Sequence, residues 1–170
     1  MNTSTLAAPV LASNPSTLVT RLLGTDATNR VLLGQRVLLA AVMLPHGAQK
    51  LLGWFGGFGF HATMGYFTGT LSIPAPLAFL VIVAESFGAL GLALGLFSRV
   101  AAFGLAATMV GAALLTHLDY GFFMNWFGAQ KGEGFEYHLL AVALALPIVI
   151  LGGGARSLDA WLAARLSRRA

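Results

Sequence analysis

A few ionisable residues lie inside or beside long apolar runs, where a charge is expensive and is usually functional. They are His46, Lys50, Glu85, His117, Asp119, Glu136 and His138. Glu85 is the strongest signal, because an isolated buried carboxylate binds a proton unless a cation lies beside it. Lys50 is the best cationic partner. We predict that Glu85, Lys50 and His46 handle a proton or a ligand; the alternative is a structural ion pair that joins two helices.

Four apolar runs must position these residues. They are Val31–Leu52, Pro76–Phe97, Val100–Leu118 and Tyr137–Leu151. Each run is near the ~20 residues that a helix needs to cross a hydrocarbon core ~30 Å thick. Lipid offers the backbone no hydrogen-bond partners, so such runs must be helical. The sequence therefore predicts an all-α fold, an integral membrane four-helix bundle.

Composition supports a membrane protein of one domain. The chain has 170 residues, 57% of them hydrophobic and 9% charged, with a mean hydropathy of +0.79. A soluble domain carries about 25% charged residues. The net charge of +4 does not indicate nucleic acid, because the basic residues mostly flank apolar runs. The chain also has no cysteine, which excludes disulfides, thiolate catalysis, c-type haem attachment and iron–sulfur clusters ligated by Cys.

The chain divides into a tail, a membrane domain and a second tail. We predict a partly mobile N-terminal tail at residues 1–30, without a signal peptide, so that the first helix directs insertion. Residues 31–154 form the four-helix domain, and residues 155–170 form a basic amphipathic tail on a membrane surface. Within the domain, the segment 53–75 is rich in glycine and aromatic residues. It is predicted to be an interfacial or re-entrant outer segment.

The basic residues predict the orientation. With four spans, one side of the membrane receives Arg21, Arg30, Arg36, Arg99, Arg156, Arg165, Arg168 and Arg169. The other side receives Lys50 and Lys131. The excess of positive charge on cytoplasmic loops therefore places both termini of this multi-pass protein in the cytoplasm.

With this topology, all four helices supply polar groups to one outer layer. His46 and Lys50, spaced i and i+4, share a helix face. Further ligand-binding candidates in this layer are His117, Glu136, His138 and Trp54. Ligation of a metal or haem by the histidines is an alternative, but they form no compact motif, and we predict no metal site. The outer aromatic residues form either an ordinary interfacial belt or a lid over a lipophilic ligand.

Several short motifs follow one another along the chain at a characteristic order and spacing. The first pieces are His46–Leu51, Gly53–Gly57, Ile73–Pro76 and Glu85 with Gly88 and Leu90. Then follow Leu94–Arg99, His117, Gly134 with Glu136, and finally Gly152–Asp159. Together, these motifs resemble the DoxX family of small bacterial membrane proteins. The resemblance covers residues 30–162. It implies a four-helix membrane protein of the bacterial inner membrane, associated with respiratory or sulfur redox chemistry.

The resemblance and the polar layer together predict a quinone-linked redox protein or a subunit of a membrane oxidoreductase. In this hypothesis Glu85, Lys50 and His46 contact a quinone headgroup and relay its protons. Electrons require a respiratory or redox partner subunit, a bound cofactor or a direct substrate. Two alternatives stay open. One is a non-catalytic scaffold or accessory subunit, alone or as a homo-oligomer; the other is a carrier for a small lipophilic or anionic molecule.

Overall fold

The computed structural model describes residues 18–168, and the regular structure in this range is entirely helical. The helices are α1 (Leu18–Leu23), α2 (Arg30–Leu52), α3 (Gly59–Gly65), α4 (Ala75–Leu94), α5 (Ser98–Tyr120), α6 (Glu136–Leu151) and α7 (Leu158–Ser167). A π-helical turn, Tyr66–Thr70, continues α3. Most of the predicted N-terminal tail, residues 1–17, and the last two residues of the C-terminal tail lie outside the described residues.

Three helices are long and apolar enough to cross a membrane. They are α2, α4 and α5, with 23, 20 and 23 residues. The chain is therefore an all-α, multi-pass membrane protein, as predicted. Helix α6 is apolar but has only 16 residues, or about 24 Å at ~1.5 Å per residue. The fourth span thus stays a prediction.

The core lies where α2, α4, α5 and α6 meet. Its fully buried side chains include Leu39, Met43, Leu92, Leu105 and Ile148. Other large apolar side chains cover the outside of the same helices. Phe103, Leu140 and Ile150, for example, are 65%, 65% and 67% exposed. An apolar exterior around an apolar core is what a lipid environment requires.

Two of the long helices contain a π-helical turn. In α4 the turn spans Ala84–Gly88, and in α5 it spans Ala113–His117. A π-helical turn inserts an extra residue into the helical repeat and is frequent at functional sites. Two of the predicted site residues, Glu85 and His117, lie in these turns.

Arg36 of α2 holds together the end of the bundle that also contains the α4–α5 turn. The side chain is 1% exposed. Its Nη1 donates to the carbonyls of Leu92 and Ala93 at 2.6 and 3.0 Å, and its Nε donates to Gly153 at 3.0 Å. Its Nη2 donates, at 3.4 Å each, to two carbonyls of the chain that leads into α7, those of Ala155 and Arg156. The guanidinium thus satisfies the last carbonyls of α4 and fixes the C-terminal segment to them.

Asp159 of α7 completes this end of the bundle. Its carboxylate is 1% exposed and accepts hydrogen bonds from the backbone N–H groups of Phe97 and Ser98, at 2.7 and 2.8 Å. The bounds of the second and third apolar runs, which end at Phe97 and begin at Val100, predict a turn at Ser98 and Arg99, but both residues lie in the first turn of α5. The chain reverses earlier because Gly95 takes a left-handed conformation with φ +68° and Asp159 caps the start of α5.

Candidate functional site

Lys50 and Glu85 form an ion pair between α2 and α4. The Nζ of Lys50 lies 2.5 Å from Oε2 of Glu85. The Glu85 side chain is 3% exposed, whereas that of Lys50 is 25% exposed. The predicted partnership is therefore confirmed. The cation reaches the surface of the helices, and the carboxylate does not.

A close contact between helix backbones positions this pair. Gly47 of α2 packs against the backbone of Glu85 and Ser86, and a Cβ at position 47 would lie 2.6 Å from the Cα of Ser86. The Ser86 hydroxyl donates a hydrogen bond to the Gly47 carbonyl at 3.1 Å. Helices approach this closely only where a small residue lies at the contact. Gly47 therefore brings Lys50, one turn further along α2, within reach of Glu85.

His46 connects the ion pair to α6. It lies one turn before Lys50 on α2, and it interacts electrostatically with Lys50 and Glu85. The His46 ring centroid is 5.9 Å from that of Tyr137. The Tyr137 hydroxyl donates to the sulfur of Met43 at 3.3 Å, and Tyr137 also interacts electrostatically with Glu85. Tyr137 thus belongs to the site, although the sequence marked it only as the start of an apolar run.

His138 and His117 extend this group toward the end of α5. Their ring centroids are 4.1 Å apart, and the His138 ring is 5.5 Å from that of Tyr137. The Nδ1 of half-buried His117 lies 2.8 Å from the carbonyl oxygen of Glu133, so it carries the proton in that bond. His138 is buried; its ring interacts with the backbone of Phe135, and its Nδ1 has no hydrogen-bond partner.

We call these six side chains the polar cluster: His46, Lys50, Glu85, His117, Tyr137 and His138. They come from α2, α4, α5 and α6, the four helices predicted to supply one polar layer. Among residues 18–168, no group of three or more His, Asp or Glu side chains could hold a metal ion. The cluster instead offers one cation, one carboxylate, one phenol and three imidazoles, which are groups that exchange protons and bind polar ligands.

Two other predicted ligand-binding residues lie outside the polar cluster. The Glu136 carboxylate accepts hydrogen bonds from the N–H of Met124 at 3.0 Å and from Nε1 of Trp126 at 3.3 Å. It thereby holds the segment 121–135 against the start of α6. Trp54 is 61% exposed and lies beyond the end of α2. Asp119 is exposed at the end of α5, and His61 is exposed on α3.

Trp54 borders an apolar groove of about 380 Å³ between α2 and α4. Leu51, Phe55 and Phe87 also line the groove. Gly47 and Ser86, the residues of the close helix contact, form part of its wall. The groove therefore lies directly beside the backbone of Glu85, and its volume falls in the range of about 300–1,000 Å³ that is usual for small-molecule sites.

Sequence reasoning missed Arg36 and Asp159. In the sequence, Arg36 served only to predict the orientation in the membrane. In the structure it is fully buried and donates hydrogen bonds to five carbonyl oxygens. An arginine six residues into an apolar helix was the available signal, because a charge at that depth needs partners. Nothing local to Asp159 indicated that it caps a helix that begins some sixty residues earlier.

A family model described as DoxX matches residues 31–118, just over half of the chain. The chain belongs to the DoxX family. The matched range contains His46, Lys50, Glu85 and His117, whereas Tyr137 and His138 lie beyond it. No curated protein and no solved structure is significantly similar to the chain.

Proposed function

We propose that this DoxX protein is a quinone-linked redox protein, or a subunit of a membrane oxidoreductase, in the inner membrane of a bacterium. The observation that carries the proposal is the Lys50–Glu85 ion pair. It lies at 2.5 Å beside an apolar groove, in a helix bundle where an ion pair is expensive. Both termini face the cytoplasm, as the distribution of Lys and Arg favours.

The residues present suit a quinone. The groove offers aliphatic and aromatic walls for an isoprenoid tail, with Trp54 and Phe55 at its border. The ammonium of Lys50 is partly exposed and can donate a hydrogen bond to a headgroup oxygen. Glu85 accepts or returns a proton, and His46 exchanges that proton with the rest of the polar cluster.

Interconversion of quinone and quinol moves two electrons and two protons. The residues of this chain account only for the transfer of the protons. Electrons come from a redox partner subunit, a bound cofactor or a direct substrate; the sequence contains no Cys to ligate an iron–sulfur cluster. His117, His138, Trp54 and Glu136 complete the proposed site, with Glu136 holding the neighbouring segment in place.

A scaffold is the second candidate, and one observation favours it. The ion pair joins α2 to α4 at the point where their backbones touch, so it can serve simply to lock two helices. The protein would then be an accessory subunit whose polar residues support assembly and take no part in turnover.

Glu85→Gln separates the two candidates. The substitution keeps the shape of the side chain and its hydrogen bonding, but removes proton exchange. The measurement is the abundance of the complex beside quinol-dependent turnover in the same membranes, with Asp119→Asn as an exposed control. Normal abundance with lost turnover supports the quinone site. Normal turnover per assembled complex rules out a catalytic role for Glu85. A purified protein whose lipid extract contains quinone would support the ligand directly.

A further inference from the structure

The polar cluster extends from a buried carboxylate to the surface of the protein. Glu85 is 3% exposed, whereas His117 is half-buried and contacts Glu133 in the exposed segment between α5 and α6. Every side chain between these ends can accept or donate a proton. Such a row of groups across a helix bundle needs an explanation, because each polar group placed there is unfavourable unless it is paired.

We propose that His138 and His117 form a proton path between Glu85 and the segment 121–135. The path begins at Glu85 and its partner Lys50, 2.5 Å away, and passes His46, which lies one turn before Lys50 on the same face of α2. It continues past the Tyr137 ring, which lies between the rings of His46 and His138 at 5.9 and 5.5 Å. It ends at the His138–His117 pair, whose rings are 4.1 Å apart.

Each transfer moves one proton and no electron. An imidazole binds the incoming proton on one ring nitrogen and releases a proton from the other, which leaves the ring as its other tautomer until it turns or exchanges its proton with water. His117 donates through Nδ1 to the Glu133 carbonyl, which makes its second nitrogen the acceptor in the neutral ring. Gaps longer than one hydrogen bond are crossed through bridging water, which serves nearly as well as a direct contact.

His138 carries the strongest evidence for this role. The ring is more than nine-tenths buried, and its Nδ1 lacks a hydrogen bond of acceptable geometry. A buried polar atom of this kind is costly, so an unmet donor or acceptor requires an explanation. A histidine whose two ring nitrogens both have fixed partners cannot pass a proton. A histidine that passes protons needs one nitrogen able to exchange partners.

The path serves Glu85 whatever ligand the site binds, so its test does not use quinone. After a rapid pH jump on the purified full-length protein, infrared difference spectra follow the protonation of carboxyl groups. The signal of Glu85 is the part that Glu85→Gln removes. We expect His138→Gln and His117→Gln to slow that signal by about tenfold or more, with its final amplitude unchanged. His61→Gln, at an exposed histidine outside the cluster, should keep the wild-type rate.

Chemical rescue separates proton transfer from packing. Free imidazole in the buffer should partly restore the rate in the His117→Gln protein, whose missing ring lies nearest the surface, and packing defects would not respond in this way. Equal rates in wild type and in both variants would overturn the proposal. So would a spectrum in which Glu85→Gln removes no signal, since Glu85 would then exchange no proton. Either result would leave open whether quinone binds.

Discussion

The hydroxyl of Ser86 donates a hydrogen bond to the Gly47 carbonyl at 3.1 Å, at a close backbone contact between α2 and α4. The two residues lie beside the ion pair on both helices: Lys50 follows Gly47 by one turn, and Glu85 directly precedes Ser86. They also form part of the wall of the apolar groove. One helix contact therefore sets both the ion pair and the shape of the groove.

Gly47→Ala should destabilise the protein and separate the ion pair. The new Cβ would lie 2.6 Å from the Cα of Ser86, so α4 must move. Overpacking of this kind costs about 1–3 kcal/mol. Thermal unfolding in detergent should show a lower Tm. Gly34→Ala is the matched control on the same helix, because a Cβ there has no neighbour within 4 Å. An equal loss of Tm at both positions would contradict the close contact.

Removing one partner of the ion pair should lower the stability of the protein more than removing both partners. Lys50→Met leaves the carboxylate of Glu85 buried without its cation. We expect the free energy of unfolding to fall by about 1–3 kcal/mol. This is less than for a fully buried pair, because Lys50 is 25% exposed. The double variant Lys50→Met/Glu85→Gln should recover part of the stability. A double-mutant cycle on unfolding free energies measures this coupling, and strictly additive effects would mean that the pair contributes nothing.

Arg36→Lys should lower stability although it keeps the charge. A single ammonium cannot reach the carbonyls of both α4 and the chain before α7, which the guanidinium binds together. We expect a lower Tm in detergent and faster proteolysis of the C-terminal segment. Arg165→Lys, at an exposed position on α7, is the control. Similar behaviour of the two variants would show that Arg36 acts only through its charge.

Single cysteines should report the proposed topology, since the natural chain has none. A membrane-impermeant thiol reagent applied to intact cells should label Lys131→Cys and spare Ala170→Cys. Permeabilised cells should show labelling at both positions, which controls for reactivity. External labelling at position 170 in intact cells would reverse the orientation derived from the charge distribution.

The sequence alone was sufficient for the helical membrane fold and for one contact of the site. Lipid leaves the backbone no alternative to internal hydrogen bonds, so long apolar runs specify helices without reference to their neighbours. The pairing of Lys50 with Glu85 was also predictable, because the cost of a lone charge limits its partners to the few cations at a similar depth. Length was less informative for α6, whose 16 residues leave the fourth span a prediction.

Tertiary structure alone decided the rest of the site. Which side chains meet depends on how each helix is rotated about its axis and where small residues let helices touch, and neither is a local property of the sequence. The π-helical turns at Ala84–Gly88 and Ala113–His117 change that rotation within α4 and α5. The packing of whole helices, which no local pattern indicates, also brought Tyr137 into the cluster and placed Asp159 at the start of a helix distant in sequence.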